Sequence, residues 1–489
     1  MAGPHRRILL VVLAVIVTGG TAAGSLAVFA LMAAPATASA TAPPTATATA
    51  SDLPSPSPSA PPSPSVTPTA TATPTIPLLT PSPTPSPSPT LPPAPSVNDR
   101  FVATGTEPTI SADPFNPGVL AVASQNLGTK GDHPCSWPTV RVSNDGGATW
   151  GAPSYPWGRR CEDIHAVLAW GPNGRLWAAD AVGVGKGVSL AVSHSDNFGK
   201  NWSKSYIERF TPPWVGCYPA IAVDNWPGSP NFGTVYLAYN WLAGKYGPGV
   251  SLMASHDGST WVHTEVPVAS GLAGYPYSWR LGYRIKAAPD GTAVVTYYQS
   301  SLRTWSTTDI FNEGWGSNIG RMGYEAALVH FDGPNLSADA PTWVTGVDHT
   351  GAQWQSGLAV DDAGRAWLAV ETHGRIRFCQ IGGACQNISV PGKSSYKPSL
   401  AISGNTIFLG WHARVGSRNW TYYTFSFDGG KTFLPPALVT KTTWHDKDTG
   451  GVLNGVGMRE TADFQNGFIY FAYGDARSGL AVYVAQIQP

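Results

Sequence analysis

Ser143-Asn-Asp145-Gly-Gly147-Ala-Thr149-Trp150 follows the pattern S-x-D-x-G-x-T-W, and the pattern recurs along the chain. Ser426-Phe-Asp428-Gly-Gly430-Lys-Thr432-Phe433 repeats it with Phe in the last place. Two further copies are degenerate. Ser195-Asp-Asn197-Phe-Gly199-Lys-Asn201-Trp202 carries Asn at the Asp position, and Ser255-His-Asp257-Gly-Ser-Thr260-Trp261 is one residue short. An Asp in such a stretch accepts backbone N–H bonds within a tight turn. The glycine supplies a positive φ, and the aromatic residue buries and anchors the turn. A calcium loop would need six to eight oxygen ligands, and one carboxylate per copy falls short. Asp145, Asn197, Asp257 and Asp428 are therefore read as structural residues.

Working outward from these turns, a larger unit appears. It comprises a polar residue, a short alternating apolar strand, a turn and a second, aromatic-rich strand. Examples are Glu107-Pro-Thr-Ile-Ser-Ala-Asp leading to Val119-Leu-Ala-Val-Ala, and Tyr218-Pro-Ala-Ile-Ala-Val-Asp leading to Val235-Tyr-Leu-Ala-Tyr. Pro398-Ser-Leu-Ala-Ile leads likewise to Ile407-Phe-Leu-Gly-Trp. Others turn through Asn173-Gly174, Asp290-Gly291 or Asn466-Gly467, a hairpin signature. Seven such units are counted, with starts near residues 107, 163, 218, 283, 357, 398 and 461. That spacing suits four-stranded propeller blades. The expected fold is an all-β propeller of seven blades, with six as the alternative. The last unit is too short for four strands, so the segment around Phe101 to Thr104 is expected to complete it and close the ring.

These repeats resemble the sialidase superfamily, the Asp-box or bacterial neuraminidase repeat proteins, in its secreted bacterial branch. The resemblance covers residues 98–489. The opening Glu107-Pro-Thr-Ile-Ser-Ala-Asp-Pro-Phe-Asn-Pro117 and the closing Tyr473-Gly-Asp475-Ala-Arg477 add to it. It implies boxes at the blade periphery and, in an active member, an exo-α-sialidase-like glycoside hydrolase. Such an enzyme uses three arginines for the substrate carboxylate, a Tyr nucleophile activated by Glu, and an Asp acid/base. The family's early Arg-Ile-Pro signature is absent from Asp99-Arg-Phe-Val-Ala-Thr104.

In a propeller, ligands gather over the central channel, so residues opening the units are the site candidates. Glu107, Asp163 and Glu460 are the candidate catalytic acids. Tyr218, Arg280, Arg284, Trp354, Lys397 and Arg459 are the candidate substrate-binding groups. Aromatic rings stack on sugar faces, arginine pairs bidentately with carboxylates, and paired acids serve glycoside hydrolysis. Two functions fit: a propeller that binds and hydrolyses glycans, or a non-catalytic propeller that binds glycans or a cell-surface protein.

Composition bounds the setting. Of 489 residues only 12% are charged and the formal net charge is zero, with no basic run in the folded part. Nucleic acid and anionic surfaces are poor partners for such a chain. No cofactor or metal motif is evident, and a monomer is expected. Arg6 and Arg7 precede an apolar stretch from Ile8 to Ala33, followed by Ala38-Ser-Ala40. Residues 1–40 fit a cleaved signal peptide and a transmembrane signal anchor equally, and both place the propeller outside the cell. Residues 41–97 are almost wholly Pro, Ser, Thr and Ala, a composition that cannot bury a core and reads as a disordered stalk. An oxidising exterior allows disulfides. Cys379 and Cys385 flank a hairpin-like turn and are expected to pair, with Cys135–Cys161 as the next pairing and Cys217 left over.

Overall fold

The computed structural model describes residues 96–489, apart from 131–132, 160–163, 185–186, 204, 211–216, 242–248, 268–276, 303–318, 348–354, 393, 446–447 and 449–458, and the side chains of some adjoining strand residues. The expected signal or anchor and residues 41–95 of the expected stalk lie outside the described residues, whereas Ser96 and Val97, expected to end the stalk, belong to a strand.

The chain forms seven antiparallel sheets arranged as the blades of a propeller. Their inner strands, in chain order, are Thr106–Ala112, Ile164–Trp170, Cys217–Val223, Tyr277–Ala287, Ser356–Val360, Ser394–Ser403 and Thr461–Gln465. Five blades have four strands, and blade 4 has five. Blade 1 has three, with a backbone bridge between Val140 and Ser154 in the outer position. Strand Ser96–Thr104 pairs with Ala481–Gln488 and supplies the fourth strand of blade 7. The expected closure is thus present, and the ring joins the first folded segment to the last.

The core lies between blades, in one apolar layer per interface. Ala121, Ala123 and Trp170 meet between blades 1 and 2. Tyr236, Tyr283 and Tyr297 meet between blades 3 and 4, and Ile110, Tyr470 and Val484 between blades 1 and 7. Small residues stand where inner strands converge toward the axis. A Cβ on Gly357 would lie 2.7 Å from the Leu400 backbone nitrogen, so any larger residue would push two inner strands apart.

The repeated turns act as expected within each blade, and also between blades. Asp145 accepts from the Thr149 backbone N–H at 2.9 Å, and Ser143 Oγ accepts from Gly147 N–H at 2.8 Å. Asp428 and Ser426 make the same bonds with Thr432 and Gly430. Each turn also sits over the preceding blade. Gly258 packs on Trp177, Gly430 on Phe378 and Gly199 on Val142. Trp202 Nε1 donates to Ser154 Oγ of blade 1 at 3.0 Å. These boxes therefore set the blade-to-blade spacing. Cys379 and Cys385 are disulfide-bonded. Cys161 and the Cys135 side chain lie outside the described residues.

Antiparallel pairing sorts the loops by face. The starts of all inner strands, and the turns from second to third strands, share one face. The turns from first to second strands share the other with the boxes, as the Gly146 N–H to Gly118 C=O bond of 2.9 Å shows.

Candidate active site at the channel mouth

Five inner strands carry a β-bulge at their leading end. In each, two residues stand opposite one of the second strand, an insertion of a single residue: after Thr106, Ile164, Cys217, Leu281 and Tyr396. A bulge bends a strand and re-aims its side chains. In blade 4 the bulge holds Gly282 at φ 67°. In blades 1, 3 and 6 it holds Glu107, Tyr218 and Lys397 at φ 56°, 58° and 57°, each followed by proline. Left-handed backbone costs a side-chain-bearing residue about 1–2 kcal/mol. Glycine would meet the geometry without that cost, so the three side chains are kept against it.

A channel cavity of ≈ 80 Å³ runs between the inner strands and is lined by residues of all seven. Its polar groups include Arg284, Ser356, Ser399, Arg459 and Glu460. This volume holds a few waters and is well below the ~300 Å³ or more of a typical ligand pocket. A molecule the size of a sugar would be too large for this cavity and could meet it only at its mouth.

Around the mouth the structure gathers most of the expected residues. Arg459 donates to the Pro219 carbonyl, and its guanidinium lies 5.7 Å from the Tyr218 ring centre. Burial and the neighbouring Arg284 charge lower the Arg459 pKa to about 10, while Glu107, Tyr218 and Asp180 oppose the drop. Arg284 donates through Nε to Ser356 C=O at 2.9 Å and through Nη1 to Tyr283 C=O at 3.1 Å. Burial lowers its pKa against the pull of Tyr324 and Glu107. Lys397 is buried, its Nζ has no hydrogen-bond partner among the described residues, and desolvation lowers its pKa against Glu460, Glu107 and Glu371.

Glu460 is 3% exposed. Its Oε1 lies 2.7 Å from His412 Nε2 and accepts from the Gly474 N–H at 3.0 Å. The other ring nitrogen of His412 lies 3.1 Å from Thr421 Oγ1. Glu460 Oε2 has no hydrogen-bond partner among the described residues. One carboxylate oxygen is thus fixed by two contacts.

Arg280 does not join this group. It lies over the Tyr297 ring at 5.2 Å, with Nη2 3.5 Å from the Pro267 carbonyl, beyond the bulge from Arg284. Asp163 and Trp354 lie outside the described residues. Tyr324 and Glu325 are sequence neighbours in separate surroundings. Tyr324 sits beside Arg284, whereas Glu325 accepts from Tyr297 OH at 3.0 Å.

Several members of the mouth come from second strands and were missed from the sequence: Asp180, Glu371 and His412. Each ends an aromatic apolar run, in Leu176-Trp-Ala-Ala-Asp180, Trp367-Leu-Ala-Val-Glu371 and Phe408-Leu-Gly-Trp-His412. A polar residue at the same offset after such a run was the available signal.

No family model matches the chain, and no curated protein matches it. Solved structures with a likeness to it include a PL25 polysaccharide lyase, an ulvan lyase, 14% identical over 79% of this chain and 95% of that one, with a TM-score of 0.46. The α-L-arabinofuranosidase Arb93a from Fusarium graminearum is 12% identical over 71% of this chain and 94% of its own, with a TM-score of 0.43. Hadza microbial sialidase Hz136 is 13% identical over 72% and 73%, with a TM-score of 0.40.

Proposed function

We propose that this chain is an extracellular, sialidase-like propeller that binds glycans at the mouth of its central channel. One observation carries the reading. Three blades hold Glu107, Tyr218 and Lys397 in left-handed backbone at equivalent bulges around one channel. Backbone strain of this kind concentrates at functional sites. The groups it presents are an acid, an aromatic ring and a cation, which suit the hydroxyls, faces and acidic groups of sugars. The expected export signal and stalk would display this face outside the cell.

Hydrolysis is the second reading, and Glu460 favours it. Its Oε2, which has no hydrogen-bond partner among the described residues, and the Glu107 carboxylate belong to one network, since Glu460 and Glu107 both bear on Lys397. Glycoside hydrolysis uses two such acids.

The test is a binding panel of sialylated, uronic-acid and neutral oligosaccharides, with a fluorogenic sialoside assayed in parallel. Glu107→Gln and Lys397→Met should each weaken binding of the best ligand about tenfold or more, a loss of at least ~1.4 kcal/mol, at an unchanged melting temperature. Binding that survives both substitutions would remove the channel mouth from the function. Turnover lost in Glu460→Gln would establish hydrolysis, and a well-folded wild type without turnover would leave binding alone.

A further inference from the structure

Lys397 Nζ and Glu460 Oε2 are a donor and an acceptor without hydrogen-bond partners among the described residues. Both residues are 3% exposed. They come from successive blades: Lys397 from the bulge of blade 6, Glu460 from the position just before the inner strand of blade 7. Glu460 lines the channel cavity, and its charge is the largest of those that support the Lys397 cation. A buried donor or acceptor is costly to leave unmade, so these two atoms define what a ligand has to supply. A hydroxyl group both donates and accepts, and can serve the two together. A carboxylate only accepts, and would be repelled by Glu460 Oε2.

Three cations stand around this pair, Arg284, Arg459 and Lys397, and the protein already answers each of them. Arginine holds a carboxylate through two parallel N–H donors. Arg284 has committed its single Nε–H to Ser356 C=O at 2.9 Å, and Nη1 to Tyr283 C=O at 3.1 Å. Arg459 donates through Nη1 to Pro219 C=O. Their charges are matched as well. Glu107 supports all three cations, Asp180 supports Arg459, and Glu371 and Glu460 support Lys397. Four described carboxylates thus bear on three cations, and a ligand's carboxylate would add a fifth negative charge. A like charge brought into a site already neutralised is rejected.

Glu107 is central to this balance. It is 6% exposed and opens the inner strand of blade 1, which pairs side by side with blade 7. Arg284 reaches the same channel from blade 4, on the far side of the ring. The φ of Glu107, 56°, matches the 57° of Lys397 at the equivalent bulge. Two residues of opposite charge are therefore held in the same left-handed backbone on the two blades that flank Arg459 and Glu460. Glycine would take either position without strain, and strain of this kind is retained where a side chain serves a site.

We infer that Glu107 stands as the protein's own counter-ion where Arg284, Arg459 and Lys397 would otherwise take a ligand's carboxylate, so that the channel mouth accepts neutral sugars and refuses carboxylated ones. The inference rests on the glycan reading of the mouth and narrows it to hydroxyls and ring faces. It is tested first with matched oligosaccharides titrated into the full chain: an oligogalacturonate and its carboxyl-reduced form, a sialylated lactose and lactose, and a glucuronoxylan oligosaccharide and its unsubstituted xylan counterpart. The wild type should bind the neutral member of at least one pair about tenfold or more tightly than the carboxylated member, and Glu107→Gln should narrow that ratio about tenfold. Tighter binding of a carboxylated member by the wild type, or a ratio that Glu107→Gln leaves unchanged, would overturn the inference. The second experiment needs no sugar. Glu107→Gly suits the backbone and empties the counter-ion's place. Sodium acetate should therefore raise the melting temperature of this variant saturably, by about 2 °C or more, relative to sodium chloride at equal ionic strength. The wild type should show no such rise. Acetate without effect on Glu107→Gly, or with equal effect on the wild type, would overturn the inference whatever the sugars do. Wild type that binds no sugar, together with acetate rescue of the variant, would sink the glycan reading and uphold the counter-ion.

Discussion

Asp145 shows what a single residue contributes. Hydrogen bonds from the Thr149 hydroxyl and backbone N–H hold its carboxyl down to about 2, against an ordinary value of 3.8. Asp428 is depressed for the same reason, by Thr432, and Asp257 by Thr260 and Ser259. A carboxyl depressed by folding adds stability above its unfolded pKa and loses it as pH falls through the folded one. The boxes should therefore weaken between pH 3.8 and about 2. Asp145→Asn should lower the unfolding midpoint at neutral pH. Its urea-unfolding free energy should then fall less steeply than that of the wild type between pH 4 and 2. Their chemistry was legible because every partner lies within a few residues. What could not be read was the docking of each turn on the blade before it, since Trp177 lies 81 positions from Gly258.

Individual strands owe their positions to contacts distant in sequence. Along the inner strand of blade 7, alternate residues Thr461, Asp463 and Gln465 face one way, as period-two geometry demands. They accept from Ile110, Ala112 and Gly118 backbone N–H groups of blade 1 at 2.7, 2.9 and 2.9 Å. Asp463→Ala should leave the Ala112 N–H without this partner and destabilise the protein by about 1–3 kcal/mol, read as a lower urea midpoint at unchanged m-value. The same limit explains the channel mouth. Strand-opening residues Glu107, Tyr218, Lys397, Arg459 and Glu460 stood out by their place in the repeat. Arg280 was chosen on the same ground, and its described contacts are the Tyr297 ring and the Pro267 carbonyl, across the bulge at Gly282 from Arg284. His412 reaches Glu460 from 48 positions away, and alternation along a strand says nothing about which strand ends meet.

For the molecule as a whole, closure of the ring is the decisive event, and a cluster at blade 7 secures it. Arg477 pairs with Asp99 of the closing strand at 2.7 Å and with Asp475 at 3.2 Å. Tyr473 OH donates to Asp99 Oδ1 at 2.7 Å, and the guanidinium stacks 3.6 Å from the Tyr483 ring centre. Burial opposes the Arg477 charge, but Tyr473, Asp475, Tyr483 and Asp99 raise its pKa beyond the ordinary value. Removing one member of such a buried pair strands the other. Arg477→Ala should cost about 3–5 kcal/mol. Asp99→Asn in the same background should add less than it does alone, as measured by urea unfolding. The sequence by itself determined the repeating unit, the box turns and the need for a borrowed strand, and favoured seven blades over six, because strand alternation and turn chemistry are local. Only the tertiary structure decided how the blades dock, which charges share the channel mouth and that Phe115 and Phe232 meet edge to face on the opposite face. Those contacts join residues tens to hundreds of positions apart, and their geometry exists only once the ring is closed.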